Sequence, residues 1–397
     1  MRRNRVPDGR SPSLAISTCA LGVAQIVSWG TLFYTIAVLG NGLRVASGVS
    51  VVVLHGCYSI GLAASGMVAP AVGRAIDAHG GRVVMSAGSI IASLACAALA
   101  LVQGPVTLLL AWILAGIAMA FTLYDPAFAT LHAISGPHYR RAVTALTLFG
   151  GFASTVFWPL SQALQESVGT STTYLFYAVL HLVLCLPLHA MLVPPHRASA
   201  SRDGAALTGG WTRPPGPVFV WFAVALAIAS FASSALSAHL VGLLASAGLT
   251  AREAVLIGAL IGPMQVAGRL MEFMAGKHVR PIVAGTIAFG TLAASLLVFS
   301  QLSASFALAV LFVVLYGWSN GVMTITRSTV PAELFGRDRY GELLGRLAKP
   351  QIIARAIAPA VLAGLLVLDS ERRIALAALA ACGIAALIAY RRAVRGA

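Results

Sequence analysis

Two ten-residue segments place glycine and charged side chains at the same spacing, GRAIDAHGGR at 73–82 and GRLMEFMAGK at 268–277. The matched positions are Gly73, Arg74, Asp77 and Arg82 in the first segment, and Gly268, Arg269, Glu272 and Lys277 in the second. Glycine allows a tight turn, a carboxylate can cap a helix N-terminus, and an arginine can bridge to a carboxylate. Because contacts of this kind can form and break, one interpretation is that these charges belong to a gate. The alternative is that they only mark one side of a membrane.

A carboxylate, Asp125, stands inside a long apolar stretch, where an ionised group is costly and is therefore a candidate for function. Three interpretations stay open: a gate partner for Arg74 or Arg82, a proton-carrying site, or a carboxylate that reaches the membrane interface. Arg327 holds the near-equivalent place in the second half of the chain and has the opposite charge. We assign Asp125 and Arg327 to the predicted gate.

Basic side chains lie within another apolar stretch near the C-terminus. Lys349 precedes Pro350, which interrupts helical hydrogen bonding, and Arg355 falls near the middle of the stretch. A charge at that depth needs a partner, water or a bound anion, unless the side chain extends to the interface. Arg355 lies six residues beyond Lys349 and therefore points elsewhere. We expect Arg355, Lys349 and Arg269 to bind a small anion, because arginine matches a carboxylate with two hydrogen bonds.

The first apolar stretch carries an almost unbroken series of polar and aromatic side chains. Gln25, Trp29 and Tyr34 supply an amide, an indole and a phenol, with hydroxyl residues between them. Such groups are typical of a substrate pathway, although Trp29 and Tyr34 are equally compatible with packing. We include these three residues in the predicted substrate site.

The remaining chemistry-bearing residues do not indicate an enzyme, a metal site or a cofactor. The five cysteines contain no C-x-x-C pair, and the histidines are scattered without a carboxylate at ligand spacing. The sequence has no H-E-x-x-H, G-x-S-x-G or phosphate-loop motif. We therefore expect no catalysis, no bound cofactor and no transport driven by ATP hydrolysis within this chain.

Composition shows which elements must position these residues. Hydrophobic residues make up 58% of the 397 residues and charged residues only 10%, which is typical of an integral membrane protein. Stretches of about 20 apolar residues span a bilayer as helices, and alternation typical of a β-barrel is absent. We expect an all-α protein with twelve transmembrane helices, near 14–39, 49–72, 83–103, 106–134, 142–166, 170–193, 217–246, 252–275, 281–301, 304–332, 342–368 and 370–391.

The basic residues behind the net charge of +15 are distributed as in a membrane protein, over many loops, and not as in a nucleic-acid-binding surface. With the N-terminus inside, most Lys and Arg residues fall on the cytoplasmic side, and the outer loops hold only Arg44, Arg252, Arg372 and Arg373. We therefore expect both termini in the cytoplasm, contact with the lipid bilayer and no nucleic-acid partner.

The chain divides near its middle into two similar halves. The segment 194–216, rich in Pro, Gly, Ser and Arg, predicts a cytoplasmic linker between a six-helix bundle at 1–193 and another at 217–397. The repeated charged segments follow the second helix of each half. Duplicated halves around a central pathway are typical of transporters.

On these features the chain resembles the major facilitator superfamily over essentially its whole length. The hallmark of that family, in the loop after the second helix, is matched at Gly73, Asp77, Gly80 and Arg82, whereas Ala78 stands where the family usually has a basic residue. The resemblance implies two pseudo-symmetric bundles, transport by alternating access, and a loop that closes the cytoplasmic side. It also implies a plasma-membrane location, which we expect to be a bacterial inner membrane, and we expect a monomer.

A weaker resemblance concerns the substrate. Arg269 and Lys349 look like the arginine and lysine that hold the carboxylate in the monocarboxylate and oxalate:formate antiporter branches. The internal repeat instead equates Arg269 with Arg74, at the gate, so both roles stay open. We expect a small organic anion, such as a carboxylate, with a coupling proton as a candidate second substrate. The alternative is proton-coupled export of drugs or other hydrophobic compounds.

Topology gives the first testable prediction. A membrane-impermeant thiol reagent added outside should label a cysteine placed at Ser47 and should not label one placed at Ser201, because the charge distribution assigns these sites to opposite sides. Labelling is compared in intact cells, where only cysteines on the outer side react, and in permeabilised cells, where cysteines on both sides react. The reverse pattern would contradict the assignment of the gate to the cytoplasmic side.

Overall fold

The computed structural model of the protein describes residues 12–195, 216–275, 279–302, 305–335, 340–369 and 372–395. The first half contains α1 to α9: Leu14–Ser28, Ile36–Ser47, Val51–His79, Gly81–Ala100, Pro105–Thr122, Tyr124–Ser135, Tyr139–Gly151, Ala153–Leu180 and Leu186–Leu192. The second half contains α10 to α16: Pro217–Ser246, Ala251–Ala259, Ile261–Ala275, Pro281–Ser300, Phe306–Phe335, Tyr340–Leu368 and Arg373–Arg395. No strand occurs in these ranges, so the expected all-α membrane fold is confirmed.

Eleven stretches of the described residues are long and apolar enough to span a membrane. The stretch at Arg141–Leu192 has 52 residues, far more than the roughly 20 that one crossing requires. It is divided at Gly169, whose φ of 82° and ψ of 170° are outside the helical region. Glycine adopts a positive φ at little cost, so the chain can turn there and cross again. The total is then twelve crossings within the described residues, as the sequence predicts.

Several crossings are built from more than one helical piece. Short π-helical segments, Trp29–Phe33 and His181–Cys185, link α1 to α2 and α8 to α9. A π-helical turn rotates the side chains that follow it relative to those of a regular α-helix, and such turns are frequent at functional sites. The first segment directs Trp29 and Phe33 toward the centre of the molecule.

The two halves repeat one close contact between helices. Gly61 of α3 and Gly116 of α5 face each other so closely that a Cβ on Gly116 would lie 1.9 Å from the Gly61 carbonyl oxygen. In the second half, Gly268 of α12 would meet the backbone of Trp318, and Gly321 of α14 would meet that of Gln265. Small residues let membrane helices approach at the backbone. The second and fourth crossings of each half are therefore joined in the same way.

Each half has its own buried core, and the halves meet along a seam. One large cluster of buried apolar residues belongs mainly to the second half and another mainly to the first. Across the seam, the Thr155 hydroxyl of α8 donates to the Ala259 carbonyl of α11 at 2.7 Å. The Ala360 amide of α15 donates to the Ser59 hydroxyl of α3 at 3.2 Å. The predicted linker at 194–216 lies almost entirely outside the described residues.

We call the two ends of the bundle by the sides that the charge distribution predicts. The outer end carries the turn at Gly48, where φ is 66°, and the inner end carries the turn at Gly80, where φ is 81°. Ser47, at the outer end, is buried and donates to the Leu43 carbonyl. Its neighbour Val45 is 66% exposed and offers a more accessible position for a chemical label.

Candidate functional site

A polar cavity of about 100 Å³ lies at the centre of the molecule, between the halves. It is lined mainly by α10, α12, α14 and α15 of the second half and by the first crossing of the first half. The lining residues are Trp29, Phe33, Tyr34, Ser230, Ser233, Ser234, Ser237, Gln265, Asn320, Met323, Thr324, Arg327 and Arg355.

Two arginines from neighbouring crossings line this cavity. One terminal nitrogen of Arg327, on α14, donates to the Ser230 hydroxyl at 3.2 Å, and its Nε is buried without a partner among the described residues. The Arg355 side chain, on α15, has no hydrogen-bond or ion-pair partner within the described part of the chain. The backbone carbonyl of Arg355 accepts a hydrogen bond from Ser234 at 2.7 Å, which fixes α15 against α10. Both guanidinium groups therefore keep donors available to a ligand.

The serines of the cavity come from one segment, SFASSALS at 230–237. Ser230, Ser233, Ser234 and Ser237 follow the spacing i, i+3, i+4 and i+7, which places them on one face of α10. Sequence reasoning missed this serine stripe. The signal was available, because hydroxyl residues at helical spacing stand out in an otherwise apolar helix. Gln265 and Asn320 were missed for a different reason, because a single amide in an apolar stretch has no periodic pattern.

The first half closes the cavity with aromatic side chains. Trp29 and Tyr34 line it, and their ring centroids are 6.0 Å apart. The Tyr34 ring also meets Trp158 edge to face at 5.8 Å. Gln25 does not line the cavity. Its amide donates to the Thr122 carbonyl at 2.7 Å and accepts from the Trp29 indole at 3.1 Å, so it orients the Trp29 ring.

Arg269 does not line the cavity but contacts residues of its wall, and it also connects the two halves. It is only 4% exposed and donates to the Thr147 carbonyl of α7, in the first half. It also donates to the Gln265 amide oxygen at 3.2 Å, and it lies 3.5 Å from the Thr324 hydroxyl. Gln265 and Thr324 themselves line the cavity. Arg269 thus contacts both the seam and the cavity wall, which is why neither of its two predicted roles is favoured by position alone.

Two other predicted residues lie away from the cavity. Lys349 is exposed on α15, whereas Arg355, six residues later, faces the cavity. Asp125 is exposed in the first turn of α6. Among the described residues Asp125 forms no ion pair with Arg74 or Arg82.

The predicted gate residues gather at the inner end, apart from Arg327, which lines the cavity. Arg74 and Asp77 are exposed in the last two turns of α3, Gly80 makes the turn, and Arg82 opens α4. In this conformation Arg74, Asp77 and Arg82, all within the described residues, form no ion pair with one another. A glycine next to the motif, Gly81, packs so closely that a Cβ there would overlap the Thr130 side chain. Glu272, the counterpart of Asp77, is partly buried on α12, and Gly73 is unobstructed.

Sequence reasoning missed one ion pair at this end. Arg280, just before α13, forms two hydrogen bonds with Glu333 of α14, at 2.9 and 2.7 Å. The second carboxylate oxygen of Glu333 accepts from the Ile282 amide at 3.1 Å. Arg280 is 74% exposed, so the pair fixes geometry more than it adds stability.

Two buried histidines of the first half have ordinary structural roles. His181 lies 2.8 Å from the Thr31 hydroxyl, and His189 lies 2.8 Å from the Ser89 hydroxyl. Within the described ranges, no three His, Cys, Asp or Glu side chains are grouped to hold a metal ion.

Solved transporters share this architecture. A bacterial homolog to the human lysosomal transporter Spinster, in an inward-facing and occupied conformation, superposes with a TM-score of 0.70 at 14% identity, over 96% of each chain. A mutant of the nucleoside transporter NupG superposes with a TM-score of 0.73 at 14% identity, over 96% of this chain and 100% of the NupG chain. At this identity the likeness shows the fold alone. No curated protein matches the sequence.

The family is established by the sequence itself. Residues 18–348, most of the chain, match the family described as Major Facilitator Superfamily. This agrees with the twelve crossings, the repeated glycine contacts and the central cavity. The chain belongs to the Major Facilitator Superfamily and is a multi-pass membrane transporter of a small molecule, not an enzyme.

Proposed function

We propose that this transporter moves a small organic anion, such as a carboxylate, by alternating access, and that Arg355 and Arg327 hold the anion in the central cavity. The observation that carries the proposal is the charge of the cavity wall. Two guanidinium groups line it, and no Asp or Glu occurs among its described lining residues.

The energetic argument concerns the cost of unpaired buried charge. A cation inside a membrane protein is costly unless an opposite charge, hydrogen bonds or water compensate it. The Arg327 side chain has one hydrogen bond from the cavity wall, to a neutral serine. Two neighbouring cations also repel each other. An anion that enters the cavity compensates the buried charges and reduces the repulsion between the two arginines. Both effects favour its binding, in addition to the new hydrogen bonds that it makes.

The geometry suits a small, planar anionic group. A guanidinium presents parallel N–H donors that match the two oxygens of a carboxylate. The side-chain amides of Gln265 and Asn320 line the cavity and carry N–H groups that can donate neutral hydrogen bonds around it. The hydroxyl hydrogens of Ser230, Ser234 and Ser237, in contrast, are already donated to protein acceptors. The cavity volume of about 100 Å³ is well below the roughly 300–1,000 Å³ of sites that bury drug-sized ligands. A substrate of few heavy atoms therefore fits better than a drug.

Drug export remains the second candidate and is less well supported. A lipophilic cation would need a carboxylate in the cavity, and Asp125 is the only acid that the sequence places well inside a span, with Glu166, Glu272 and Glu333 nearer the helix ends. Asp125 is exposed on α6 and does not line the cavity. The two arginines would repel a cation from the same place.

The same contacts suggest how binding promotes closure. The arginines and hydroxyls belong to the second half, whereas Trp29 and Tyr34 belong to the first. A substrate held between them adds contacts that exist only when the halves approach each other. The Arg269 contact with the Thr147 carbonyl also joins the halves, so it must break where the halves separate at that point. We also propose that the protein is a monomer in the plasma membrane, with cytoplasmic termini and a domain boundary at 194–216.

Replacement of Arg355 tests the anion site. In detergent-solubilised protein, Arg355→Gln should weaken binding of the best anion in a panel of small carboxylates about 10- to 100-fold, the effect expected for losing a charged hydrogen-bonded pair. Arg355→Lys should retain part of the affinity, because it keeps the charge but not the paired donors. Isothermal titration calorimetry measures both.

The matched control is Lys349→Gln, which removes a positive charge from the exposed face of the same helix. Its affinity should stay within about twofold of the parent protein, because an exposed charge outside the cavity is screened by solvent. Equal losses in Arg355→Gln and Lys349→Gln would contradict a specific role for Arg355.

The gate makes a separate prediction. Asp77→Asn should slow transport while leaving membrane insertion and substrate affinity nearly unchanged, because Asp77 is exposed in the last turn of α3 and does not line the cavity. Turnover in proteoliposomes and binding in detergent separate the two effects. A normal turnover rate in correctly inserted Asp77→Asn protein would mean that the motif only marks topology.

A further inference from the structure

Two histidines from opposite halves meet ring against ring at the outer end. His55 lies near the start of α3, in the first half, and His239 lies on α10, in the second. Their ring centroids are 3.8 Å apart, and the ring planes are inclined by 31°. Their exposed fractions are only 6% and 7%. The pair is therefore a buried contact between the halves, formed by two groups that titrate near physiological pH in water.

The hydrogen bonds of the pair fit two uncharged rings. His239 Nε2 lies 2.9 Å from the Pro359 carbonyl of α15, and a carbonyl only accepts, so this nitrogen carries a hydrogen. His55 Nδ1 is buried and has no partner among the described residues. A charged His55 would have a hydrogen on both nitrogens, and the one on Nδ1 would be a buried donor without an acceptor, which is costly.

The surroundings of the pair also oppose a charge. His55 and His239 form part of the wall of a cavity of about 440 Å³ at the outer end, which we call the outer vestibule. Arg44, from the end of α2, and Arg372, just before α16, line it as well. Arg44 donates to the Asn41 amide oxygen, and Arg372 donates to the Ser246 hydroxyl, so both of these acceptors are neutral. No Asp or Glu occurs among the described lining residues. From α15, the Pro359 carbonyl accepts the hydrogen bond of His239.

We propose that His55 and His239 form a proton-binding site that controls opening of the outer end. With both rings neutral, the contact holds α3 and α10 together. A proton that arrives from the outer solution through the vestibule binds a ring nitrogen, and the charged ring is repelled by the arginines and lacks an acceptor. Separation of the halves exposes that ring to water, which stabilises the charge. Protonation and outer opening therefore favour each other.

The histidine pair is a binding site for a coupling proton, and this proposal does not depend on the charge of the substrate. The anion site lies in the central cavity, whereas the pair lies between α3 and α10 near the outer end. If the anion proposal fails, the histidine pair still predicts a response of the outer end to pH. The two proposals therefore have separate tests.

The test measures a distance across the outer end and needs no substrate. Spin labels are attached to cysteines at Val45 and Leu368, which are 66% and 77% exposed and belong to opposite halves, in full-length protein whose native cysteines are replaced. Pulsed electron double resonance then gives the distance distribution. Acidification from about pH 8 to about pH 5 should raise the ratio of long to short distances about tenfold. A distribution that does not change with pH would overturn the proposal.

Variants identify the titrating groups. His55→Gln and His239→Gln cannot take up the proton and should each lose most of the pH response, whereas His132→Gln, a change at an exposed histidine of α6, should keep it. His55→Arg places a permanent charge in the contact and should favour the long distances even at about pH 8. A full pH response in both glutamine variants, or a His55→Arg protein that stays in the short-distance state, would overturn the proposal.

Discussion

The cost of holding positive charge inside a membrane protein governs the centre of this structure. Arg327 and Arg355 line one small cavity, and none of the described residues that line it is Asp or Glu. In a medium of low dielectric constant such charges are tolerated only when hydrogen bonds, water or a counterion compensate them. Ser230 of α10 supplies part of that compensation by accepting a hydrogen bond from Arg327. An anionic substrate would supply the rest, which ties the fold of the second half directly to a transport function.

The contacts along the seam explain how the two halves can remain associated and still move. Thr155 bonds to a carbonyl of α11, Ser59 to an amide of α15, and Arg269 to the Thr147 carbonyl. A single hydrogen bond of this kind contributes on the order of 1 kcal/mol net, so a few of them can break and form again during a transport cycle. The large apolar cores lie mainly within the halves, which allows each half to move largely as a unit.

The sequence predicted the fold well because the bilayer imposes a simple rule on length and hydropathy. The division of the 52-residue stretch at Gly169 was also predictable from its length. Placement of side chains was harder. Arg327 was assigned to the gate and lines the cavity, and Lys349 was assigned to the site and is exposed. Which face of a crossing points inward depends on helix rotation, on π-helical turns and on proline, and hydropathy specifies none of these. The contact between His55 and His239 joins residues far apart in the chain, so no local pattern predicts it.

Uptake into proteoliposomes tests the central claim most directly. Purified protein is reconstituted and offered small carboxylates, inorganic oxyanions, neutral solutes and lipophilic cations, with and without a pH gradient. The account predicts saturable uptake of at least one small anion, inhibited by related carboxylates and not by lipophilic cations. Saturable transport of a cation or a neutral compound, with no uptake of any anion, would contradict the assignment of Arg355 and Arg327 to an anion site.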